Sequence, residues 1–322
     1  MLPDFTYVRP ESLDQAIHEL SSSGTRLHAG GTDLLGCLRD GIFTAEKIVS
    51  ISGLTALRGI GTTSDGGLRI GALTTLAEIA SHEETVRRYA ALAQAAASAA
   101  SPQLRNQGTL GGNLCQRPRC WYFRGDFHCL RKGGDICYAV EGENEYHCIF
   151  GGLGCYMVHP SDTAPALVAL GARARVAGPD GTRIVSLEEF FVRPEEDVTK
   201  ETVLRPDEIL SEILLPAPAE GFRSLYRKVR ARGAWDFALA GIALAVGVQE
   251  GRVQASRAVL SGVAPVPWRV TEVEQAITGR PLNAETAAAA AASLTGAEPL
   301  AHNGYKVDVC RGLIEEALLS LA

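Results

Sequence analysis

The sequence of 322 residues contains no run of 18 consecutive apolar residues and no excess of positive charge. A membrane-spanning helix needs about 20 such residues, so the sequence predicts no span. Its 31 Lys and Arg residues face 37 Asp and Glu residues, and the net charge of −6 argues against a nucleic-acid binder. Residues 1–5 lack the basic and apolar regions of a signal peptide, so we expect the chain to be cytoplasmic by its own sequence.

Three common site motifs are also missing. The sequence has no G-x-G-x-x-G fingerprint and no Walker A lysine, which excludes a Rossmann dinucleotide site and a P-loop. It has no C-x-x-C pair either, so the zinc-ribbon and bacterial ferredoxin patterns are absent. Any dinucleotide or metal site in this chain must be built in another way.

The spacing of apolar residues predicts an α+β protein of roughly two domains. A helix is predicted after Ser12, closed by Gly24, and further helices at 84–98, 164–170, 270–277, 284–294 and 307–319. Strands are predicted at 26–29, 47–51, 67–71, 173–177, 183–185, 225–229, 238–248 and 253–262. Residues 115–153 show no periodicity, and the proline-rich residues 216–218 resemble a linker between domains.

Two glycine loops are candidates for phosphate binding. Gly30 to Asp33 follow a predicted strand and precede a short helix, and Gly108 to Asn113 form a second cluster. Backbone amides without a nearby Cβ, next to a helix N-terminus, suit a pyrophosphate, and two such loops can hold two halves of one dinucleotide. The structural alternative for a single loop is a turn in which Asp33 serves only as an N-cap.

Six of the eight cysteines lie between residues 115 and 155. Residue types alone leave a metal or iron–sulfur site, disulfides and ordinary buried thiols open as interpretations. Three histidines nearby are possible ligands, although a hydrogen-bonding or surface role is commoner for each; they are His128, His147 and His159.

Two further segments carry polar groups whose role the residues leave open. Ser161 and Asp162 precede a predicted helix, where they either cap it or reach a ligand. Residues 226–232 combine four cations, with Asp236 close behind. Such a run either approaches an anionic ring system or forms a solvated strand face, and the residues alone favour the solvated face.

Four motifs, in this order and at these separations, resemble the FAD-binding medium subunit of the molybdenum hydroxylases. This family includes xanthine dehydrogenase, carbon monoxide dehydrogenase, 4-hydroxybenzoyl-CoA reductase and bacterial aldehyde oxidoreductases. The resemblance is carried by Ala29-Gly30-Gly31-Thr32-Asp33-Leu34, Arg105-Asn106-Gln107-Gly108-Thr109-Leu110-Gly111-Gly112-Asn113-Leu114, Pro160-Ser161-Asp162, and Tyr226-Arg227-Lys228 with Asp236-Phe237-Ala238.

The resemblance implies a fold and a domain division. Residues 1–218 would form a two-part FAD-binding domain of the vanillyl-alcohol oxidase type, with a 4Fe-4S cluster loop at about 115–158. Residues 219–322 would form an antiparallel sheet plus helices, like the C-terminal domain of the carbon monoxide dehydrogenase flavoprotein.

The resemblance also implies cofactor ligands and no catalytic residue in this chain. FAD would contact His28, Ala29, Gly30, Gly31, Thr32, Asp33, Leu34, Leu35, Gln107, Thr109, Leu110, Gly111, Gly112, Asn113, Ser161, Asp162 and Lys228. Residues 115–158, here called the cysteine segment, are similar to the corresponding part of the subgroup whose flavin subunit holds a 4Fe-4S cluster, with Cys120, Cys129, Cys137 and Cys155 as its ligands. Cys115 and Cys148 would then be buried thiols.

The implied function is electron transfer. A large partner subunit would carry the molybdenum cofactor, a small one the 2Fe-2S clusters, and the FAD of this chain would pass electrons to an external acceptor. The stretch Gln116-Arg117-Pro118-Arg119-Cys120-Trp121-Tyr122-Phe123 and the motif His159-Pro160-Ser161-Asp162 resemble the aldehyde oxidoreductase subunit more than the 4-hydroxybenzoyl-CoA reductase subunit. A 4-hydroxybenzoyl-CoA reductase or xanthine dehydrogenase-like subunit, a self-contained flavin oxidase and a zinc-binding scaffold protein are the alternatives, and a partner's twin-arginine signal would permit a periplasmic location.

Overall fold

The computed structural model describes residues 2–322 and has a mixed helix and sheet architecture, which confirms the α+β prediction. The helices are α1 Leu13–Leu20, α2 Leu34–Arg39, α3 Leu76–Ser81, α4 Glu83–Arg88, α5 Ala90–Ser98, α6 Pro102–Gln107, α7 Leu110–Leu114, α8 Trp121–Arg124, α9 Thr163–Ala169, α10 Thr271–Ile277, α11 Ala284–Ala292 and α12 Tyr305–Ser320. The strands are β1 Thr6–Val8, β2 Thr25–His28, β3 Lys47–Ser50, β4 Ile60–Thr62, β5 Leu68–Gly71, β6 Arg173–Gly178, β7 Gly181–Ser186, β8 Ile209–Leu215, β9 Phe222–Val229, β10 Ala240–Gln249, β11 Arg252–Ser261 and β12 Trp268–Arg269. Within residues 2–322, no helix is both long and apolar enough to cross a bilayer.

The N-terminal sheet is parallel, with the strand order β1-β3-β2. Helix α1 begins where the sequence predicts, because the Ser12 hydroxyl accepts a hydrogen bond from the Gln15 amide at 3.1 Å. Its apolar face packs against β3, and the strand β2 leads directly into the first glycine loop. This sheet therefore positions that loop at the carboxyl end of a strand.

The second sheet has five antiparallel strands in the order β4-β5-β8-β6-β7, and the predicted hairpin of β6 and β7 is confirmed. Two of its strands, β4 and β8, are absent from the sequence predictions. Helices α5 and α9 pack with this sheet in the largest core cluster.

The helix predicted over 84–98 is wrong as a single element. It is divided into α4 and α5 at Tyr89, whose backbone has φ −134° and ψ 51°. The Tyr89 side chain is buried, and its hydroxyl donates to the Pro216 carbonyl at 2.8 Å. This long-range contact overrides the helical preference of the local sequence.

The third sheet is antiparallel, with the order β12-β11-β10-β9, and has both faces covered. One face packs against α5 and α9 in the largest core, and the other packs against α10, α11 and α12. Residues 115–158 contain only short helical turns and connect these layers. The stacking of Phe150 on Trp268, with ring centroids 5.4 Å apart, attaches the end of this segment to the third sheet.

Candidate functional site

The first glycine loop has amides that the protein does not use. Gly31 adopts φ +73°, and the amides of Gly31, Thr32 and Asp33 donate to no acceptor within residues 2–322. A Cβ at Gly30 would collide with the Gln107 carbonyl oxygen. The missing side chain therefore lets the two predicted loops approach each other, with free donors at the start of α2.

A cavity of about 390 Å³, here called the loop cavity, lies between the two glycine loops. Nine of the predicted FAD contacts line it: Ala29, Gly30, Gly31, Thr32, Asp33, Leu34, Thr109, Gly111 and Gly112. Three arginines, Arg26, Arg117 and Arg205, line it as well. Cationic side chains and free amides together suit a dianionic pyrophosphate.

Two more cavities continue from the loop cavity. The middle cavity, of about 280 Å³, shares Thr32, Asp33 and Thr109 with it and adds Asn113 and Asp162. A third, here called the aromatic cavity, has about 380 Å³. Its walls include Arg119, Cys120, Trp121, Tyr146, His147, Ser161, Asp162, Asp236 and Phe237. The middle cavity shares wall residues with each of the other two, so the three cavities form one continuous groove.

Asp33 lies at the N-cap position of α2, but its side chain does not cap the helix. Its carboxylate accepts hydrogen bonds from the Arg117 amide at 2.7 Å, from Arg119 at 2.5 Å and from Arg124 at 2.8 Å. Burial alone would raise the pKa of Asp33, but the charge of Arg119 and these hydrogen bonds lower it. Asp33 therefore fastens the start of the cysteine segment to the first glycine loop.

Ser161 and Asp162 have separate roles at the start of α9. Ser161 caps the helix by accepting from the Ala164 amide at 3.0 Å, and it donates to the Asn113 side chain at 2.6 Å. The Asp162 carboxylate instead accepts from Lys228 at 2.9 Å and from the Tyr226 hydroxyl at 2.7 Å. The capping interpretation therefore holds for Ser161, whereas a contact of Asp162 with a ligand stays a prediction.

The expectation of a solvated strand face at 226–232 is wrong for two of its residues. The Lys228 side chain is 3% exposed and its partner Asp162 is 7% exposed, so their ion pair is buried. Tyr226 is also buried, and burial together with the Asp162 charge raises the pKa of its hydroxyl. The alternation of a strand explains this, since Tyr226 and Lys228 share one face of β9.

Five of the predicted FAD contacts lie outside the cavity walls: His28, Leu35, Gln107, Leu110 and Lys228. His28 supports the loop, because its Nδ1 lies 3.1 Å from the Ser50 hydroxyl and its Nε2 lies close behind Gly31. Leu110 is completely buried, and its amide already donates to the Thr74 carbonyl at 2.9 Å. A direct contact of these residues with FAD stays a prediction.

The four predicted cluster ligands, Cys120, Cys129, Cys137 and Cys155, surround one small cavity of about 20 Å³. We call it the cysteine cavity. No three Cys, His, Asp or Glu side chains among residues 2–322 converge as the ligands of a single metal ion. Burial raises the pKa of Cys120 to about 11, whereas a hydrogen bond with Cys137, together with the charge of Arg131, outweighs burial and lowers the pKa of Cys155.

The remaining cysteines and the three candidate histidines do not line this cavity. None of the eight cysteines forms a disulfide in the described residues 2–322. Cys148 is completely buried, and the half-buried Cys115 packs against the largest core. His128 is exposed, whereas burial lowers the pKa of both His147 and His159 to about 4. The Nε2 atom of His147 lies 3.2 Å from the Cys120 sulfur.

Sequence reasoning missed the arginines that organise the site. Arg117, Arg119 and Arg124 bind Asp33, and Arg131 pairs with Glu201 at 2.7 Å. A signal was present, because four arginines interleave with the first cysteines of a segment that otherwise lacks periodicity. Their partners lie about 70 to 90 residues away, so composition alone does not reveal the pairing.

Comparison with known proteins agrees with this geometry along the whole chain. Residues 3–218 match the family described as the FAD binding domain in molybdopterin dehydrogenase, and residues 224–321 match the CO dehydrogenase flavoprotein C-terminal domain. The aldehyde oxidoreductase FAD-binding subunit PaoB of Escherichia coli (strain K12) is 39% identical over 271 residues, which cover 83% of each chain. The xanthine dehydrogenase FAD-binding subunit of Escherichia coli O157:H7 is 30% identical over 283 residues, covering 87% of this chain and 82% of that one.

A solved structure confirms the predicted architecture. The carbon monoxide dehydrogenase from Hydrogenophaga pseudoflava that lacks the Mo-pyranopterin moiety contains a chain with a TM-score of 0.77 and 27% identity. The match covers 99% of this chain and 97% of that chain. The chain is therefore an oxidoreductase subunit, which excludes the non-enzymatic zinc-binding scaffold. Its fold, its groove and its relatives together show that it belongs to the family of FAD-binding medium subunits of the molybdenum hydroxylases.

Proposed function

We propose that this chain is the FAD- and 4Fe-4S-containing electron-transfer subunit of a heterotrimeric molybdenum hydroxylase that oxidises aldehydes. A large subunit with the molybdenum cofactor and a small subunit with 2Fe-2S clusters are its partners, and an external acceptor takes the electrons. Bound FAD would supply an electron acceptor and donor, and a bound cluster would supply a one-electron centre.

The loop cavity is the observation that carries the FAD assignment. The free amides of Gly31, Thr32 and Asp33 would hold the pyrophosphate, with Arg26 and Arg117 opposing its charge. The buried Asp162–Lys228 pair would fix polar groups along the middle cavity, because a buried pair with a third hydrogen bond has little freedom to move. No residue of the chain is required to transfer a proton or attack a substrate.

The convergence of Cys120, Cys129, Cys137 and Cys155 on the cysteine cavity supports the cluster. Four cysteine thiolates are the usual ligands of a 4Fe-4S centre. Cys120 lines both the cysteine cavity and the aromatic cavity. A cluster at this position would therefore share a wall with the groove that we assign to FAD.

The choice of aldehydes follows from sequence similarity. The relative described as an aldehyde oxidoreductase FAD-binding subunit is 39% identical, against 30% for a xanthine dehydrogenase FAD-binding subunit. The substrate would bind to the partner subunit that carries molybdenum, so the test needs the assembled complex.

The first experiment is the visible absorption spectrum of the anaerobically purified chain, before and after dithionite, with iron and sulfide assays. Flavin bands over a broad absorbance that partly bleaches, with four iron and four sulfide per chain, are expected. Cys137→Ala should lose this iron and retain flavin, whereas Cys310→Ala, at a buried cysteine of the C-terminal core, should retain both. Flavin without iron in the wild-type chain would contradict the cluster, and a colourless chain would contradict both assignments.

The second experiment tests partners and substrate. A tagged chain, expressed with candidate molybdenum and 2Fe-2S subunits from the same source, should purify them in equal amounts. Addition of an aldehyde should then bleach the flavin absorbance of the complex on the time scale of one catalytic turnover. Reduction by xanthine but not by aldehydes would favour the xanthine dehydrogenase-like alternative.

A further inference from the structure

Arg131 is buried beside the cysteine cavity with three of its five N–H donors unused. It lies in the single helical turn Leu130–Lys132, directly after Cys129, and its side chain is 1% exposed. Its Nη1 atom donates to the Lys200 carbonyl at 3.2 Å and to the Glu201 carboxylate at 2.7 Å. Its Nε and Nη2 atoms, although buried, have no hydrogen-bond partner within residues 2–322.

Unused donors of a buried cation are costly. Each buried donor without a hydrogen-bond partner lowers the stability of the folded chain by about 1–3 kcal/mol. Buried donors in folded proteins therefore nearly always have a partner. The Arg131 side chain lines the cysteine cavity together with Cys120, Cys129, Cys137 and Cys155. The ligand that would satisfy its donors would thus lie among those four sulfurs.

We propose that Arg131 is a positioning residue that donates N–H groups to the sulfur atoms of the 4Fe-4S cluster and raises its reduction potential. This inference rests on the cluster of the proposed function. The four cysteines alone would bind the iron, and Arg131 would decide how readily the cluster takes an electron.

The sign of the effect follows from charge. A cluster with four thiolate ligands is an anion, and reduction adds one negative charge without a compensating proton. A buried cation stabilises the reduced form more than the oxidised form, and hydrogen bonds to sulfur act in the same direction. Glu201 lies on the other side of the guanidinium and pairs with Arg117 as well, at 3.1 Å. Its negative charge opposes the effect of Arg131, so the two residues should shift the potential in opposite directions.

The experiment is a potentiometric titration of the purified chain, with dithionite as reductant, in which the electron paramagnetic resonance signal of the reduced cluster is followed. Arg131→Met should lower the midpoint potential by at least 59 mV, a tenfold change in the ratio of reduced to oxidised cluster for one electron. Glu201→Gln should raise it. Arg131→Lys retains the charge but has fewer donors in a different geometry, and its potential should lie between those of the wild type and Arg131→Met.

The matched control is Arg269→Met, which removes an arginine paired with Glu274 at 2.8 Å in the C-terminal domain, away from the cysteine cavity. Its midpoint potential should equal that of the wild type. If Arg131→Met fails to hold iron, Glu201→Gln decides: a raised potential supports the inference, and an unchanged or lowered potential overturns it. A merely structural role for the Arg131–Glu201 pair would lower stability in both variants and leave the potential unchanged.

Failure of this inference is distinguishable from failure of the proposed function. A wild-type chain without iron or sulfide would contradict the cluster itself. A wild-type chain with four iron and a normal cluster signal, whose potential does not respond to Arg131→Met or Glu201→Gln, would contradict only the role of Arg131.

Discussion

The backbone conformation of the single residue Gly31 shapes the first glycine loop of the groove. Its φ of +73° is accessible to glycine at little cost, and a Cβ there would lie 2.7 Å from the His28 Nε2 atom. Gly36, one turn into α2, has no atom within 4 Å of such a Cβ. The two glycines therefore provide a pair in which only one substitution disturbs the loop.

We expect Gly31→Val to lose most of its bound FAD. A β-branched residue at this φ is strained by about 1–3 kcal/mol, and its side chain would displace the amides of the loop. The flavin content of the purified variant, measured by absorbance after heat release, should fall by about tenfold or more. Gly36→Ala should retain the wild-type content, and equal losses in both variants would contradict the assignment of this loop.

Asp162 and Lys228 form the second residue-level case, because their ion pair is almost completely buried. Removal of either partner leaves an uncompensated charge in the interior, so Asp162→Asn or Lys228→Met should each destabilise the chain by about 3–5 kcal/mol. The double variant should lose less than the sum of the two, since it leaves neither charge alone. Urea unfolding of the four proteins gives the coupling energy, and strict additivity would show that the pair does not interact.

The exposed pair Arg39–Asp40, whose side chains are 66% and 38% exposed, provides the control for this double-mutant comparison. Its coupling should be too small to measure.

Some of these residues could be assigned to the site from the sequence, and others could not. The glycines of both loops, Asp162 and Lys228 could each be assigned to the site because each belongs to a recognisable motif, but the ion pair between Asp162 and Lys228 was not predicted. Arg131 and Glu201 could not, since their contact spans 70 residues and neither belongs to a recognisable pattern. Short-range motifs predict the walls of the groove, whereas the charge network behind them depends on the tertiary structure.

Tyr89 illustrates the same limit at the level of elements. The alanine-rich residues 84–98 favour one helix, and the local sequence contains nothing that would end it. The division into α4 and α5 arises from the contact between the Tyr89 hydroxyl and Pro216, at the start of the connection to β9. By contrast, α1 and the hairpin of β6 and β7 are fixed by local caps and turns and could be predicted.

Tyr89→Phe should destabilise the chain by about 1 kcal/mol, because it removes one partly buried hydrogen bond and leaves the Pro216 carbonyl without its donor. Tyr7→Phe, at a tyrosine that is 50% exposed, should change the free energy of unfolding by less than about 0.5 kcal/mol. Chemical denaturation followed by far-UV circular dichroism measures both. A Tyr89→Phe variant as stable as the wild type would show that packing of the ring alone divides the helix.

At the scale of the whole molecule, the start of α12 holds the cysteine segment in place. Asn303 donates to the carbonyls of His147 and Cys148 at 3.1 and 3.0 Å. The Lys306 ammonium donates to the Tyr146 carbonyl at 2.9 Å and to the Gly262 carbonyl at 2.8 Å. The C-terminal domain thus binds the segment that ends at Cys155, although about 150 residues separate the two in sequence.

The domain boundary that the sequence predicts at 216–218 does not divide the hydrophobic core. The largest core cluster contains Tyr226, Ala243 and Val259 from the third sheet together with residues of α5 and α9. The second cluster contains Ile149 and Phe150 from the end of the cysteine segment. Both cores therefore depend on residues from both sides of the linker at 216–218, and we expect neither part to fold stably alone.

Lys306 makes the contact between the start of α12 and the cysteine segment depend on pH. The residue is completely buried, and burial lowers its pKa from 10.5 to about 8. Between these two pH values the unfolded chain binds more protons at this site than the folded chain, so the free energy of unfolding should rise with pH from about 8 to about 10.5. The full gain is at most about 3.5 kcal/mol, since the pKa falls from 10.5 to about 8 and each unit is worth about 1.4 kcal/mol.

Lys306→Met should abolish this rise, because it removes the titrating group. Lys47→Met, at a partly exposed lysine paired with Glu19 in the N-terminal region, should retain it. Urea unfolding of the three proteins at pH 8, 9 and 10 measures the slopes, and the difference between wild type and Lys306→Met cancels the titration of cysteines and tyrosines that all three share. An equal slope in Lys306→Met would mean that the contact between the C-terminal helix and the cysteine segment carries no titrating charge.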